Sequence, residues 1–344
     1  MSRVLITGGA GMIGTAVAKR LLADPAHDVR VADERSAPLW MREGCEIRSL
    51  DLRVPAHAQA AVRGCSQVIH LASFPKTDAS DLPSGLDGDA AADTALVGPA
   101  AHTLMEYENA LHGAVIRAAL DGEVERFLYV SSPLVFERAE RFPTPEAHLA
   151  QCPAPLSARG HSRLTGERLC RAAHEEHGLA FTICRPSATY GPQRAGANEP
   201  GVSRTLIELF DGALARARPL ALAGPGERTL TPTHVDDVAQ AIVLALVTPA
   251  ALNEDFNIAA GRELSLVEIA RVVWQACGQD ADELTLAPVA DGDGEPARSC
   301  PAVDKARELI GWEAGIGFED GAAAVASMRA GAGAGASGHI GGAL

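Results

Sequence analysis

The chain has 344 residues, 47% of them apolar, and a formal net charge of −14 at pH 7. That length and apolar content can bury a large core and point to about two domains, or one with a substantial lobe. The acid excess argues against a nucleic-acid partner, whose phosphates require clustered Lys and Arg. No apolar run approaches the roughly 18 residues of a membrane span, so the expected partner is a small molecule.

The N-terminus opens on a strand-like segment, from which no signal peptide and a cytoplasmic location are expected. The seven cysteines are scattered and lack a Cys-x-x-Cys pair, as reduced thiols do. His174 and His177 with Glu175 and Glu176 read as an exposed helix end with no further ligand cluster beside them, and no metal is expected.

Arg3–Thr7 reads as a short buried strand, followed by a glycine cluster and a helical pattern over Thr15–Leu22. Strands are predicted at Asp28–Ala32, Glu46–Leu52, Ser66–Leu71, Arg126–Ser131 and Ala180–Arg185. Helices are predicted near Ala56–Val62, Glu106–Leu120 and Ser162–His174. This alternation predicts an α/β fold, a Rossmann-type doubly wound parallel sheet.

After Gly191-Pro192 the pattern changes. Helices are predicted over Val202–Arg216, Asp236–Leu246 and Ser265–Cys277, with short strands at Leu220–Ala223 and Phe256–Ile258. The expected division is a dinucleotide-binding domain over 1–190 and a smaller substrate-binding lobe over 191–328, with some chain crossing back to the sheet. Residues 73–100, rich in Asp, Ala, Pro and Gly, predict a mobile loop beside the site. The low-complexity segment 329–344 predicts a disordered tail.

The strongest motif is Thr7-Gly8-Gly9-Ala10-Gly11-Met12-Ile13-Gly14, directly after a strand and before a helix. Gly8, Gly11 and Gly14 permit a tight turn and let backbone approach a pyrophosphate, which rests on the helix N-terminus with the amides of Met12 and Ile13. Asp33, at the end of the second strand, stands where a carboxylate bonds the adenosine ribose. Arg35 can instead pair with a 2′-phosphate, so the cofactor is NAD or NADP. Asp51 and Leu52 end a third strand-like segment, where the carboxylate can accept the adenine amino group.

These residues resemble the extended short-chain dehydrogenase/reductase family, especially its nucleotide-sugar epimerases and dehydratases. The likeness covers roughly 3–328 and rests on TGGAGMIG at 7–14, Asp33, VIHLAS at 68–73 and Asn109. It continues through SSPLVF at 131–136, RPSATYGP at 185–192, HVDDVAQA at 234–241, FNIAAG at 256–261 and DKARELIGW at 304–312. The resemblance implies that Leu71, Ala72 and Ser73 line the cofactor and that Pro186 approaches the nicotinamide. It also implies subunit pairing through two helices of the Rossmann domain, a possible homodimer.

The family's catalytic set is a Ser or Thr, a Tyr, and a Lys one helical turn later. Ser132 matches the hydroxyl position, but Arg159 falls where the Tyr belongs and Arg163 where the Lys belongs. An arginine, with a pKa above about 12, does not exchange protons near neutrality. Arg163 can still donate to a ribose, and Arg159 can stabilise an alkoxide or an anionic group.

Three functional readings follow. In the first, NAD(P)H reduces a ketone on an aromatic polyketide-type substrate. The proton then comes from water, from Ser132 or His161, or from a substrate phenol, as in the atypical ketoreductases of antibiotic biosynthesis that lack the tyrosine. In the second, nucleotide-sugar chemistry continues with a rewired acid/base such as His161, and Arg185, Arg194, Arg228 and Arg298 are candidates to bind a diphosphate. In the third, the chain binds a dinucleotide without catalysis. His70 reads as a structural strand-end residue, and HVDD as the cap of the helix that follows it.

Overall fold

The structure, a computed structural model, describes residues 2–74, 99–192, 202–223, 226–289 and 296–336. The chain begins β1 (Ser2–Thr7), α1 (Met12–Leu22), β2 (His27–Ala32), α2 (Leu39–Gly44), β3 (Glu46–Arg48), α3 (Pro55–Val62) and β4 (Gln67–His70). Then come α4 (Pro99–Asp121), β5 (Arg126–Val130), α5 (Ala158–His177), β6 (Phe181–Pro186), β7 (Thr189–Tyr190), α6 (Arg204–Leu214) and β8 (Leu220–Ala223). The remainder is β9 (Thr229–Leu230), β10 (Thr233–His234), α7 (Val235–Val247), β11 (Glu254–Ile258), β12 (Leu264–Ser265), α8 (Leu266–Ala276), β13 (Leu286–Val289), α9 (Asp304–Ile310) and α10 (Phe318–Ala336).

Seven strands form one sheet in the order β11-β6-β5-β4-β1-β2-β3. Every pairing in it is parallel. Both faces must therefore be covered, which is why Val4, Leu5 and Ile6 are apolar in succession rather than alternating. One face packs α1 and α7 through Met12, Val17, Val238 and Ile242. The other packs α3, α4 and α5 through Ala58, Leu111, Val115 and Cys170. A third apolar cluster joins α6, α8 and α10 around Leu209, Trp274 and Val325.

The chain winds outward from β1 to β3, then crosses back to β4 on β1's other side. The gap beyond the carboxyl ends of β1 and β4 is thus the topological switch point, where a ligand crevice is expected. Register aligns Thr7 with Ala32 on one side and with His70 on the other. Gly8, Asp33 and Leu71 consequently emerge together at one edge.

Two expectations need correction. The segment Glu46–Leu52 is strand only as far as Arg48. Its partner β2 ends at Ala32, opposite Arg48, so there is no further edge to pair with. The expected disordered tail is helical over 329–336, because α10 runs to Ala336. Alanine favours helix, and Arg329 holds that turn down by donating to Asp211 and to the Gly191 carbonyl. Residues 337–344, and 75–98 of the expected mobile loop, lie outside the described residues. Among the described residues, no helix is long and apolar enough to cross a membrane.

Candidate active site

The β1–α1 turn is built for close approach. Gly8 has φ +69°, and a Cβ there would stand 2.7 Å from the Ala72 backbone nitrogen. A Cβ on Gly14 would stand 2.5 Å from the Gly9 Cα, so helix and turn touch backbone to backbone. Gly11 is the N-cap of α1 and supplies no side-chain cap. The side chains of Met12 and Ile13 point into the core, so these two positions can offer a ligand only backbone. The helix end therefore presents amides and the positive end of its dipole.

Asp33 and Arg35, which suggested different cofactors, form one unit. The Asp33 carboxylate accepts the Ala10 amide at 2.9 Å and the Arg35 amide at 2.8 Å. It is also forked by the Arg35 guanidinium, with Nε and Nη2 each at 3.1 Å. Asp51 is held likewise by Arg53 at 2.9 and 2.7 Å, and the Arg53 hydrogen bonds keep its carboxyl below the usual range. Leu52 is buried in the core beneath. Glu34 is close by, its carboxyl raised by burial and then by the Asp51 charge. Three carboxylates, Asp33, Glu34 and Asp51, thus gather at this edge of the sheet.

Leu71 and Ala72 donate their amides to the Thr7 hydroxyl, both at 3.2 Å, which fixes the loop leaving β4. Ser73 donates to Glu108 at 2.7 Å and accepts from Arg163 at 2.6 Å. Arg163 also donates to Glu108 at 3.0 Å and is 5% exposed. Arg163 therefore reaches the loop beside the glycine turn as half of a buried ion pair. Burial alone would raise the Glu108 carboxyl, yet the Arg163 charge and the His112 hydrogen bond drive it far below the usual range.

Ser132 caps a short 3-10 turn over Pro133–Phe136 and accepts the Leu134 amide at 3.3 Å. The first turn of α5 packs on that turn: a Cβ on Gly160 would meet the Leu134 carbonyl at 2.9 Å. Arg159 and His161, both half-buried, lie on this first turn of α5. The Nε2 of His161 has no hydrogen-bond partner among the described residues. Pro186 ends β6, buried, opposite Ile258.

The chain has only three tyrosines, and none is free to work here. Tyr129 is buried, 3.3 Å from His112 and against Gly166, and burial pushes its phenol well above the ordinary value. Tyr190 is buried between Phe210 and Phe318. Tyr107 packs on Phe74 under the Arg53 guanidinium, its phenol raised to about 12, first by burial.

Arg185 does not serve as a diphosphate ligand. It is fully buried, forks Glu167 at 2.7 and 2.7 Å, and donates to Asp255 at 2.7 Å. Arg298 forks Glu263 at 2.7 and 2.8 Å, and Arg228 is 3% exposed. Arg194 lies outside the described residues. His234 itself caps α7 by accepting the Asp236 amide at 3.2 Å. Asn109, which carried part of the resemblance, faces solvent on α4, and its neighbour Glu108 faces the site. Sequence reasoning missed Glu108 and His112. The available signal was their spacing of four on one helix, which puts both on one face.

The sequence profile of the NAD dependent epimerase/dehydratase family matches residues 4–259. The chain is 22% identical over 333 residues to an uncharacterized UDP-glucose epimerase, YtcB, of Bacillus subtilis, covering 93% of this chain and 95% of that one. It is 27% identical over 341 residues to a dTDP-glucose 4,6-dehydratase of Actinoplanes, covering 93% and 95%. A solved structure, the UDP-glucuronic acid 4-epimerase of Bacillus cereus in complex with UDP-glucuronic acid and NAD, superposes with a TM-score of 0.80 at 22% identity, covering 96% of this chain and 99% of that one. That likeness carries the fold.

Proposed function

Because the chain belongs to the NAD dependent epimerase/dehydratase family, we propose that it binds NAD(H) on the β1–α1 turn and performs hydride chemistry on a nucleotide-sugar-type substrate, with proton transfer reassigned from the missing tyrosine. The observation that carries this reading is the glycine turn at the sheet's switch point, where added Cβ atoms at Gly8 and Gly14 would fill the cradle. The residues present fit the cofactor. Amides at the start of α1 would hold the pyrophosphate, and Asp33 would accept the ribose hydroxyls in place of the Arg35 guanidinium that forks it. Carboxylates at Asp33, Glu34 and Asp51 disfavour a 2′-phosphate, which supports NAD over NADP. When bound, NAD supplies a reversible hydride acceptor.

The chain's own groups divide the remaining work. The Ser132 hydroxyl accepts one amide and keeps its proton to donate to a substrate oxygen. Arg163 reaches Ser73 at 2.6 Å, where it would donate to the cofactor's ribose. His161, whose Nε2 has no hydrogen-bond partner among the described residues, is the candidate to exchange the proton. The segment built from α6, β8, α8, β13 and α10 would form the substrate lobe.

The missing phenol favours a second reading, ketone reduction. There the substrate or water brings the proton, and an aromatic polyketide with a phenol beside its carbonyl fits that chemistry. One experiment separates the two: purified protein with NAD+ or NADH, assayed against UDP- and dTDP-sugars by NMR and against aromatic ketones by absorbance at the nicotinamide band. Sugar turnover supports the first reading and ketone-dependent NADH oxidation the second. Binding of neither NAD(H) nor NADP(H) would refute both.

A further inference from the structure

Behind the site lies an unbroken buried chain of polar groups. The Thr7 hydroxyl is 2.7 Å from His70 Nδ1, His70 Nε2 is 2.9 Å from His112 Nδ1, and His112 Nε2 is 3.2 Å from Glu108 Oε2. Both imidazoles are fully buried, and Glu108 is 2% exposed. Hydrogen counting fixes every proton. The Thr7 oxygen accepts the Ala72 amide and shares the Leu71 amide with the Thr7 carbonyl, and among the described residues His70 Nδ1 is the acceptor its own proton can reach. That nitrogen must therefore be bare. The His70 proton is then on Nε2 and points at His112 Nδ1, which must also be bare. The His112 proton is on Nε2 and points at the carboxylate, with the Tyr129 oxygen as a second acceptor at 3.3 Å. Neither ring can be a cation, because each uses one nitrogen as an acceptor.

At the far end Glu108 collects the Ser73 and Ser162 hydroxyls, the Phe74 amide and Arg163 Nη2, besides His112. A carboxylate with this many donors on separate elements has one orientation. We propose that Glu108 is the positioning residue for Arg163, and that the Thr7–His70–His112 relay locks Glu108 in that role, registering the site's cation to the strand that carries the glycine turn. Burial lowers the basicity of both histidines, as two neutral rings require. The inference rests on the dinucleotide reading above in so far as Arg163 serves the cofactor.

Two measurements test it. Long-range 1H–15N correlation of the wild-type imidazoles at neutral pH, assigned with H70N and H112N, should show both rings as neutral Nε2–H tautomers. A cationic ring or an Nδ1–H tautomer at either position overturns the relay. The second is a double-mutant cycle in NADH affinity, using E108Q, R163M and the pair. Each single change should weaken NADH about tenfold, the loss of one charge-assisted hydrogen bond. The double variant should be no weaker than either single. Multiplying effects would overturn the positioning role. E108D, which withdraws the carboxylate without removing its charge, replaces E108Q in the cycle if the latter does not fold, with the same non-additivity expected. If the wild type binds no NADH, the dinucleotide reading fails and the positioning role with it, while the tautomer pattern still decides the relay.

Discussion

Acidification from pH 7 to pH 5 should destabilise this protein through its buried neutral histidines. His70 and His112 are buried as neutral rings, each with Nδ1 committed as an acceptor, and burial holds both below their ordinary value. In the unfolded chain they regain a pKa of about 6.5. The unfolded state then binds more protons than the native state, so stability is full above that value and is lost as pH falls through it. With the native rings neutral throughout, the two-unit drop costs about 2 kcal/mol per histidine and about 4 kcal/mol for the pair. That is a large share of a typical stability of about 5–15 kcal/mol. His234, also lowered, first by burial, adds in the same direction. The low-lying carboxyls of Glu108 and Asp255 lose their contribution only below about pH 4.5, outside this window, while the carboxyls of Glu34 and Glu146, raised first by burial, act in the opposite direction. Urea unfolding followed by circular dichroism at pH 5, 6 and 7 measures the slope, and the H70N/H112N double variant should flatten it. A wild-type stability that changes by less than about 1 kcal/mol across the window would refute the neutral-pair assignment.

Three further outcomes are expected. Gly14→Ala drives a Cβ to 2.5 Å from the Gly9 Cα; it should lower NADH affinity at least about tenfold with the far-ultraviolet spectrum retained, and unchanged affinity would remove the turn from the cofactor site. Asp33→Asn removes the charge that the Arg35 guanidinium forks at 3.1 Å; the ratio of NADPH to NADH affinity should rise about tenfold in fluorescence titration, and a constant ratio would show that this pair does not select the cofactor. Arg185→Met leaves the buried Glu167 carboxylate without its cation, while Asp255 keeps Lys305 and Arg171. It should cost about 3–5 kcal/mol in chemical denaturation, and a loss under about 1 kcal/mol would mean that the network carries little stability.

The sequence by itself determined whatever is local. Strand, glycine turn and helix follow one another within Ser2–Leu22, because glycine spacing and apolar runs act on the backbone beside them. The same holds for the alternation of strands and helices that produced the parallel sheet. Tertiary structure decided what the charges do. Glu108 meets Arg163 across 55 positions, and Arg185 meets Asp255 across 70. Such pairs depend on strand register and on how α4 packs against α5, neither of which any single segment encodes. An arginine that reads as a ligand for phosphate is, once buried, obliged to find a carboxylate first. That physical demand turned Arg185 from a candidate binding residue into part of the frame, and turned Arg163 into a cation held at the site by a partner on another helix.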